Sequence, residues 1–376
     1  MLRIKLSGFK KIPILLFAVI FLCSCKESQP EIKKTAINTV KEFTIFVEGP
    51  EDRALFINLA DRFKNSEYSL KVLDTNDLLT ANADLAFYNP NNYDMENLIS
   101  ENIVKPLDPE RITQLDDFTK SKININGNFY YAPVTADAFG IIVNTSMLGD
   151  KMPMLEYPIS WGSLINISES LNGYGLNMYA MPEIKRNNFF MGLAASVATQ
   201  GLSGQDISID QTILNQLTSY LKSIYDASSS SFKNYGYDQA LNEFASGKTA
   251  MVFGTTEDLM NVLFISPDIS LEFIPLPQIS DGFSSIALDY NRVISITGDE
   301  NAHVFIDYFF QNENLNYYIN SNTYFSVIST AVSDMPELNK FNQNIFSYGY
   351  TLNLNNKLPS EAAAKLIEGF SSVLAN

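Results

Sequence analysis

The chain has 376 residues and a formal net charge of −16, and 46% of its residues are hydrophobic. A chain of this length and apolar content can bury a core and is long enough for two lobes. Its acidic balance argues against binding to nucleic acid or to anionic lipid headgroups.

The N-terminal segment has the features of a bacterial export signal. Four basic residues precede the apolar run Ile12 to Leu22, which suits a signal peptide and is short for a bilayer span of about 20 residues. The run leads into Cys23-Ser24-Cys25, which resembles a lipobox with Cys25 as the lipidated residue. We therefore predict a lipoprotein signal peptide at 1–24. The alternatives are a cleaved signal without lipid and an uncleaved anchor.

The segment after the signal is predicted to be a tether. Residues 25–42 are polar and lack a sustained apolar stripe, so we expect them to be flexible. Cleavage would remove four basic residues and bring the net charge to about −20. It would also leave a single cysteine, the one that carries the lipid, so no disulfide is expected.

The folded part is predicted to start with an α/β pattern. Phe43 to Val47 is an apolar strand, apolar residues at helical spacing follow to Phe63, and the short strands Ser69–Leu73 and Ala83–Phe87 come next. Alternating strands and helices are typical of a sheet covered by helices. Ligands of such sheets bind beyond the carboxyl ends of the strands. That rule selects the loops that follow the first and third strands.

The stretch around Pro133 is predicted to leave one lobe and enter another. A hairpin turn at 126–127 is followed by a short strand, which Pro133 is expected to end. Residues 134–138 look too polar for a core, whereas Phe139–Val143 has the uncharged pattern of a strand buried on both faces. We interpret residues 134–140 as a hinge crossing.

Later elements continue the alternation. Apolar residues at helical spacing predict helices, and uncharged runs predict strands. Gly247 is predicted to end a helix in a left-handed turn, just before the buried strand Thr249–Phe253. In chain order they are the strand Tyr174–Met181, the helix Phe189–Thr199, the turn Gly201–Asp210, a helix over Ile213–Ile224, the strands Thr249–Phe253, Leu271–Ile274 and Arg292–Ile296, and the helices Ala302–Tyr318 and Ser360–Leu374.

Four sequence blocks stand in a recognisable order. They read G-x-x-Y-x-x-P with a later Asn and Leu, then P-x-S-W-x-x-L, then A-x-x-x-F-x-x-G-K-x-A-M, and last P-L-P. The residues are Gly127, Tyr130, Pro133, Asn144 and Leu148; Pro158–Leu164; Ala240, Phe244, Gly247, Lys248, Ala250 and Met251; and Pro275–Pro277. Together the blocks resemble the maltose-type (family 1) extracellular solute-binding proteins of ABC importers. The resemblance covers most of residues 43–335.

Two departures from the family pattern concern conformation and ligand contact. Asn102 stands where the family usually has a glycine, and asparagine tolerates the left-handed conformation that such a position needs. The family commonly has an aromatic residue after the third block, where this chain has Thr256, or Glu257 if the shorter spacing is allowed for. A large flat surface for sugar stacking is therefore not expected there.

The resemblance implies an α/β, two-lobed periplasmic-binding-protein fold of type II, with the lobes joined by hinge crossings. Residues 43–134 with about 265–300 are expected to form the first lobe. Residues 135–264 with about 301–376 are expected to form the second.

The resemblance also implies a function. Hinge bending would capture a small solute and deliver it to ABC permease subunits, and the lipid anchor would hold the protein outside the cytoplasm on a bacterial membrane. We expect a monomer that needs no cofactor or metal, binds no nucleic acid and is not an enzyme. A carbohydrate is the favoured solute. The alternatives are a polyamine or other cationic solute, and a lipid-anchored interaction protein without a role in transport.

The candidate ligand-binding residues combine one aromatic ring with carboxyl, amide and hydroxyl groups. Tyr88 is predicted to stack on a sugar ring, and the polar groups to hydrogen-bond with its hydroxyls. The candidates are Glu51, Tyr88, Asn89, Asn91, Asp137, Glu183 and Thr256. A cationic solute would instead use the three acidic residues among them.

Histidine, tyrosine and tryptophan residues often bind metals or ligands in other proteins, but in this sequence we expect them to have surface or packing roles. The sole histidine, His303, falls in a predicted helix without metal-ligand spacing, and we expect it at the surface. The adjacent pairs Tyr130–Tyr131 and Tyr317–Tyr318 diverge on a strand and a helix, which disfavours a tyrosine-based ferric site. Trp161 follows Ser160, a predicted N-cap, and we expect it to pack inside the fold rather than against a ligand.

Overall fold

The structure is a computed structural model. It describes residues 40–65, 67–155, 159–177, 211–277, 284–322, 325–328, 330–341 and 349–353. Several predicted features lie outside the described residues: the signal peptide, most of the tether, the helices Phe189–Thr199 and Ser360–Leu374, and the turn Gly201–Asp210.

The described residues contain twelve strands. In chain order they are β1 (Lys41–Val47), β2 (Tyr68–Val72), β3 (Leu85–Tyr88), β4 (Asn124–Ile125), β5 (Asn128–Phe129), β6 (Ala132–Asn144), β7 (Leu176–Asn177), β8 (Met251–Thr255), β9 (Leu271–Pro275), β10 (Ser284–Ile296), β11 (Phe325–Ser326) and β12 (Gly349–Asn353).

The described residues also contain ten α-helices. In chain order they are α1 (Pro50–Phe63), α2 (Met95–Ser100), α3 (Asp117–Ile123), α4 (Thr145–Leu148), α5 (Trp161–Ser170), α6 (Gln211–Ala227), α7 (Tyr237–Ala245), α8 (Thr256–Ile265), α9 (His303–Phe309) and α10 (Asn312–Asn322).

Ten of the strands form one mixed sheet, in which β6 and β10 are the long members. The main path runs β2-β1-β3-β10-β6-β8-β7, and β9 and β11 also pair with β6. The β1, β2 and β3 strands run parallel, while β10 is antiparallel to both β3 and β6. The strands β4 and β5 form the separate hairpin predicted at 126–127.

The partners of β6 change near its middle. Its first part, Ala132 to Phe139, pairs with β10. Its last part pairs with β8 from Phe139 onward and with β9 from Gly140 onward. A single strand therefore belongs first to the β1–β3 side of the sheet and then to the β8–β9 side. The change lies at the end of the predicted hinge crossing.

The prediction that Pro133 ends a strand and that 134–138 form a polar connector is wrong. All thirteen residues of β6 are buried. Pro133 is the second residue of the strand and lies opposite an irregular register in β10 at Arg292 and Val293, a place where proline is tolerated. The polar side chains are accommodated by partners: Thr135, for example, donates to Asn291 Oδ1 at 2.6 Å.

The change of partners brings two backbones into close approach at Gly140. This residue pairs with Gly254 of β8 and with Pro275 of β9. A Cβ atom on Gly140 would overlap the Ile274 carbonyl oxygen and lie 2.9 Å from the Phe273 ring. Only a residue without a side chain fits, because a backbone oxygen cannot move aside as a flexible side chain does.

We therefore expect Gly140→Ala to lower the free energy of unfolding by about 1–3 kcal/mol, the usual cost of overpacking. Urea denaturation followed by circular dichroism measures the change. Gly236→Ala is the matched control, since its φ is −73° and a Cβ there has open space. Equal midpoints for the two variants would contradict the close approach.

The predicted helix Ala302–Tyr318 is instead two helices, α9 and α10. Asn314 Nδ2 donates to the Tyr308 carbonyl oxygen at 2.8 Å, which satisfies the end of α9 from within α10. Both helices pack on α1 through aromatic rings around Phe56, including Phe309 at 5.4 Å and Tyr318 at 5.9 Å between centroids. This attaches residues 303–322 to the β1–β3 side of the sheet, although we expected residues from about 301 onward in the second lobe.

Several local predictions are confirmed. Asn102 and Gly247 have the expected left-handed backbone, with φ of 54° and 73°. Ser160 Oγ accepts from the Ser163 amide at 3.0 Å and so caps α5. Trp161 is buried and its ring stacks on Tyr220 at 6.2 Å, which confirms the packing role.

Candidate functional site

The loops after β1 and β3, which the sequence predicted to face a ligand, are joined by one carboxylate. Glu48 Oε2 accepts from the Asn89 amide at 2.6 Å, and Glu48 Oε1 accepts from Asn92 Nδ2 at 2.8 Å. Because both oxygens bind the second loop, the two loops form one surface at the carboxyl ends of their strands.

Asn89 and Asn91 have different positions in the second loop. The Asn89 side chain accepts from the Asn91 amide at 3.0 Å and caps the short turn Pro90–Asn92. Asn89 therefore shapes the loop. The Asn91 side chain is exposed, and its Nδ2 donates to Asp289 Oδ1 at 2.5 Å. This hydrogen bond links the loop after β3 to the return strand β10.

Asp289 lies directly opposite Asp137 in the antiparallel pair of β10 and β6. Asp137 is only 8% exposed. Its Oδ1 accepts from Thr256 Oγ1 at 2.7 Å and from the Glu257 amide at 3.0 Å. Asp137 thus holds the first turn of α8 against β6, where a carboxylate is favoured by the helix dipole.

Thr256 is a buried connector between the same two elements. Its hydroxyl donates to Asp137 and accepts from the Ala138 amide at 3.1 Å. A threonine in place of the family's aromatic residue therefore ties α8 to β6.

Three predicted residues and two others form what we call the acidic junction: Asn91, Asp137, Thr256, Glu257 and Asp289. Like charges opposite each other on a sheet repel. Hydrogen bonds from Asn91, Thr256 and the Glu257 amide to the Asp289 and Asp137 carboxylates oppose that repulsion. The exposed carboxylate of Glu257 adds a third negative charge. The junction can accept hydrogen bonds from hydroxyl or ammonium groups.

Sequence reasoning missed Asp289 and assigned no role to Glu257. Asp289 comes from a strand about 150 residues beyond β6, and only the register of β10 on β6 brings it opposite Asp137. Glu257 comes a few residues after the third family block, beside Thr256, so its position in the sequence was the available signal.

Tyr88 does not lie at a ligand-accessible surface in this conformation. Its ring has no exposed area, and its hydroxyl is 3.1 Å from Ser295 Oγ. Burial raises the pKa of its hydroxyl strongly. The stacking role predicted for Tyr88 finds no exposed ring face, because β3 is buried at all four positions.

Tyr93 offers a partly exposed ring near the same loops. It is half-buried and packs edge-on against Tyr88, with 5.4 Å between centroids. Burial, followed by the nearby Glu48 carboxylate, raises the pKa of its hydroxyl to about 12. The phenol therefore stays protonated at neutral pH and can donate a hydrogen bond.

The remaining predicted residues do not join the acidic junction. Glu51 is exposed in the first turn of α1, where an acidic residue suits the helix dipole. Within the described residues, no hydrogen bond links it to the junction. Glu183 and Cys25 lie outside the residues that the structure describes.

The described parts of the chain contain neither a metal-binding cluster nor a membrane-spanning helix. There, no group of three or more His, Cys, Asp or Glu residues is placed to hold a metal ion. His303 is partly exposed and its Nδ1 lies 2.8 Å from the Glu300 carbonyl oxygen. None of the described helices combines the length and apolarity needed to cross a membrane.

Comparison with solved structures places the fold among two-lobed type II solute-binding proteins. RafE from Streptococcus pneumoniae, in its apo form, has a TM-score of 0.67 at 13% identity, covering 90% of this chain and 96% of RafE. RafE in complex with raffinose has a TM-score of 0.61 at 15% identity, covering 89% and 95%. A family 1 extracellular solute-binding protein from Bifidobacterium longum subsp. infantis has a TM-score of 0.66 at 18% identity, covering 89% and 94%.

A further relative was solved with a sugar. The extracellular solute-binding protein from Staphylococcus aureus in complex with maltose has a TM-score of 0.63 at 11% identity, covering 90% of this chain and 98% of that protein. At these identities the likeness is one of fold. A comparison with curated protein sequences finds no match.

The sequence profile of the bacterial extracellular solute-binding proteins matches residues 74–344, more than half of the chain. The protein belongs to this family. The resemblance in the sequence blocks and the predicted fold class are both confirmed.

Proposed function

We propose that this protein is a lipid-anchored solute-binding protein that captures a carbohydrate outside the cytoplasm and delivers it to an ABC importer. The observation that carries the proposal is the family match over residues 74–344. A location outside the cytoplasm follows from that family. The carbohydrate is supported by relatives of the same fold, since RafE was solved with raffinose and the Staphylococcus aureus protein with maltose.

The acidic junction is the proposed ligand surface. Sugars offer hydroxyl donors, and carboxylates are strong acceptors for them. Asp289 and Glu257 are the junction carboxylates with more exposure than Asp137, and the partly exposed ring of Tyr93 supplies an apolar contact beside the Glu48 loop. We propose that the two lobes close on the solute by bending near Phe139, where β6 changes partners.

A cationic solute is the second candidate, because two carboxylates, Asp137 and Asp289, face each other on adjacent strands. A polyamine would neutralise this pair. Against it, the Thr256 hydroxyl and the Glu257 amide, which donate to Asp137, come from the start of α8, so part of the charge of Asp137 already stabilises that helix. This favours a neutral solute.

A thermal-shift panel tests the function. A bound solute raises the free energy of unfolding by RT ln(1 + [L]/Kd), about 2.7 kcal/mol at 100 times Kd. We expect a shift with a mono- or oligosaccharide, a smaller shift in Asp289→Asn, and no such difference in Asp226→Asn, whose carboxylate pairs with Lys222 on the exposed face of α6. No shift with any sugar, polyamine or amino acid would favour an interaction protein without a role in transport.

The lipid anchor has its own test at the two cysteines. We expect Cys25→Ser to abolish labelling with a radioactive fatty acid in cells, because the thioether forms on that sulfur. Cys23→Ala is the matched control and should keep the label. Equal labelling of the two variants would contradict the lipobox assignment.

A further inference from the structure

A buried carboxylate on α1 collects side chains from two other elements. Asp52 is 1% exposed. Its Oδ2 accepts from Arg292 Nε of β10, and its Oδ1 accepts from the Tyr318 hydroxyl at 2.7 Å and from Asn322 Nδ2 at 3.1 Å, both of α10. We call these four residues the Asp52 clasp.

The clasp meets β10 where the ladder between β10 and β6 is irregular. The register shifts on both sides of Arg292, which lies opposite Thr135. The neighbouring Asn291 accepts from the Thr135 hydroxyl at 2.6 Å. A bulge leaves one residue outside the regular ladder and bends the strand. The backbone ladder alone therefore restrains the strand less at Arg292, and the Asp52 clasp adds a side-chain contact there.

The Asp52 clasp also contacts the end of α10, shortly before a third strand, β11, pairs with β6. Asn322 is the last residue of α10, and β11 begins at Phe325. The two residues of β11 pair with Ala136 and Thr135 of β6. The Ser326 hydroxyl also donates to the Val134 carbonyl oxygen at 3.1 Å. Three strand segments, from β6, β10 and β11, thus converge within a few residues of Thr135.

We propose that the Asp52 clasp is a positioning device for the lobe crossing. It fixes the direction of β10 relative to α10, close to the place where β11 pairs with β6, and so biases the angle between the lobes. The inference rests on the proposed function, since the angle governs capture of the solute. Asp52 acts through the crossing strands and is distinct from the acidic junction, which lies further along β6 and β10.

The ion pair suits this role for a physical reason. The carboxylate accepts three hydrogen bonds from two elements, β10 and α10. Hydrogen bonds restrain the relative orientation of the two elements as well as the distance between them, whereas apolar contacts restrain orientation less. Because the carboxylate is buried, its contacts are screened little by solvent. Removing the charge should therefore loosen the crossing more than it loosens distant strands.

Native-state hydrogen–deuterium exchange of the solute-free protein tests the proposal. In Asp52→Asn, we expect peptides over 133–138 and 325–328 to exchange about tenfold faster relative to β8, because a hydrogen bond between charged groups is lost. Asp84→Asn is the control: this carboxylate accepts from the Thr44 amide at 2.7 Å, so its variant should speed exchange in β1 and not at the crossing.

An equal increase in exchange rate at the crossing and in β8 would overturn the proposal, because it would show a loss of global stability alone. An unchanged exchange rate of the peptides over 133–138 and 325–328 would overturn it as well. If Asp52→Asn does not fold, Tyr318→Phe carries the same test, with about threefold faster exchange expected for one lost neutral donor. No solute is added, so failure to find a ligand would affect the proposed function and not this result.

Discussion

Replacing Phe56 by alanine is expected to lower the free energy of unfolding by about 3–5 kcal/mol, as for other buried phenylalanines. Phe56 has no exposed area. Its ring lies 4.5 Å from that of Phe87 and 5.4 Å from that of Phe309. The substitution would leave a cavity where α1, β3 and α9 meet. Urea denaturation measures the loss.

The neighbouring residue provides the control for Phe56. Ile57 lies on the same helix but is half exposed. We expect Ile57→Ala to change the free energy of unfolding by about 0.5 kcal/mol or less, as is usual at the surface. Similar losses for the two variants would contradict the placement of the aromatic cluster.

Asp52→Ala is the second substitution with a large expected effect, a loss of about 3–5 kcal/mol in the free energy of unfolding. The substitution removes the acceptor of Arg292, Tyr318 and Asn322 from a buried position. Glu51→Ala is the control, since the adjacent carboxylate is exposed. Chemical denaturation of both proteins measures the difference.

A double variant separates charge from packing at this position. When both charges of a buried pair are replaced by apolar groups, most of the loss is often recovered. We therefore expect Asp52→Leu with Arg292→Met to be more stable than Asp52→Ala alone. A double variant as unstable as the single one would mean that the hydrogen bonds of Tyr318 and Asn322 carry the effect.

The order of elements could be predicted from the sequence because it depends on local patterns. Apolar spacing predicted β1, α1 and β2 to within about two residues, which is the usual uncertainty of helix and strand ends. Asn102 and Gly247 could be predicted because a left-handed backbone needs particular residue types.

The course of β6 could not be predicted, because its polar residues depend on distant partners. Thr135 and Asp137 look unsuited to a buried strand when read alone. Thr135 donates to Asn291, and Asp137 accepts from Thr256, 119 positions away. A single sequence does not reveal such pairs, so sequence patterns predict a polar connector over this segment.

Only part of the candidate site could be predicted, because the rest also depends on contacts between distant parts of the chain. The rule that ligands bind beyond the carboxyl ends of strands selects the loops after β1 and β3, which the Glu48 carboxylate joins in the structure. Asn91, in the second of these loops, is among the predicted residues. The sequence predicts Tyr88 at the ligand surface, whereas Tyr88 is the buried last residue of β3. The rule does not distinguish the last buried residue of a strand from the first residue of the loop that follows it. Asp289 enters the site through tertiary register alone.

Isothermal titration calorimetry of the purified protein tests the central claim most directly. Raffinose, maltose and spermidine would be titrated at low and high salt. We predict saturable binding of a saccharide, with one site per chain and an affinity that salt leaves unchanged, because a neutral ligand makes no long-range charge interaction. Binding of spermidine alone, weakening as salt rises, or no heat with any saccharide would contradict carbohydrate capture.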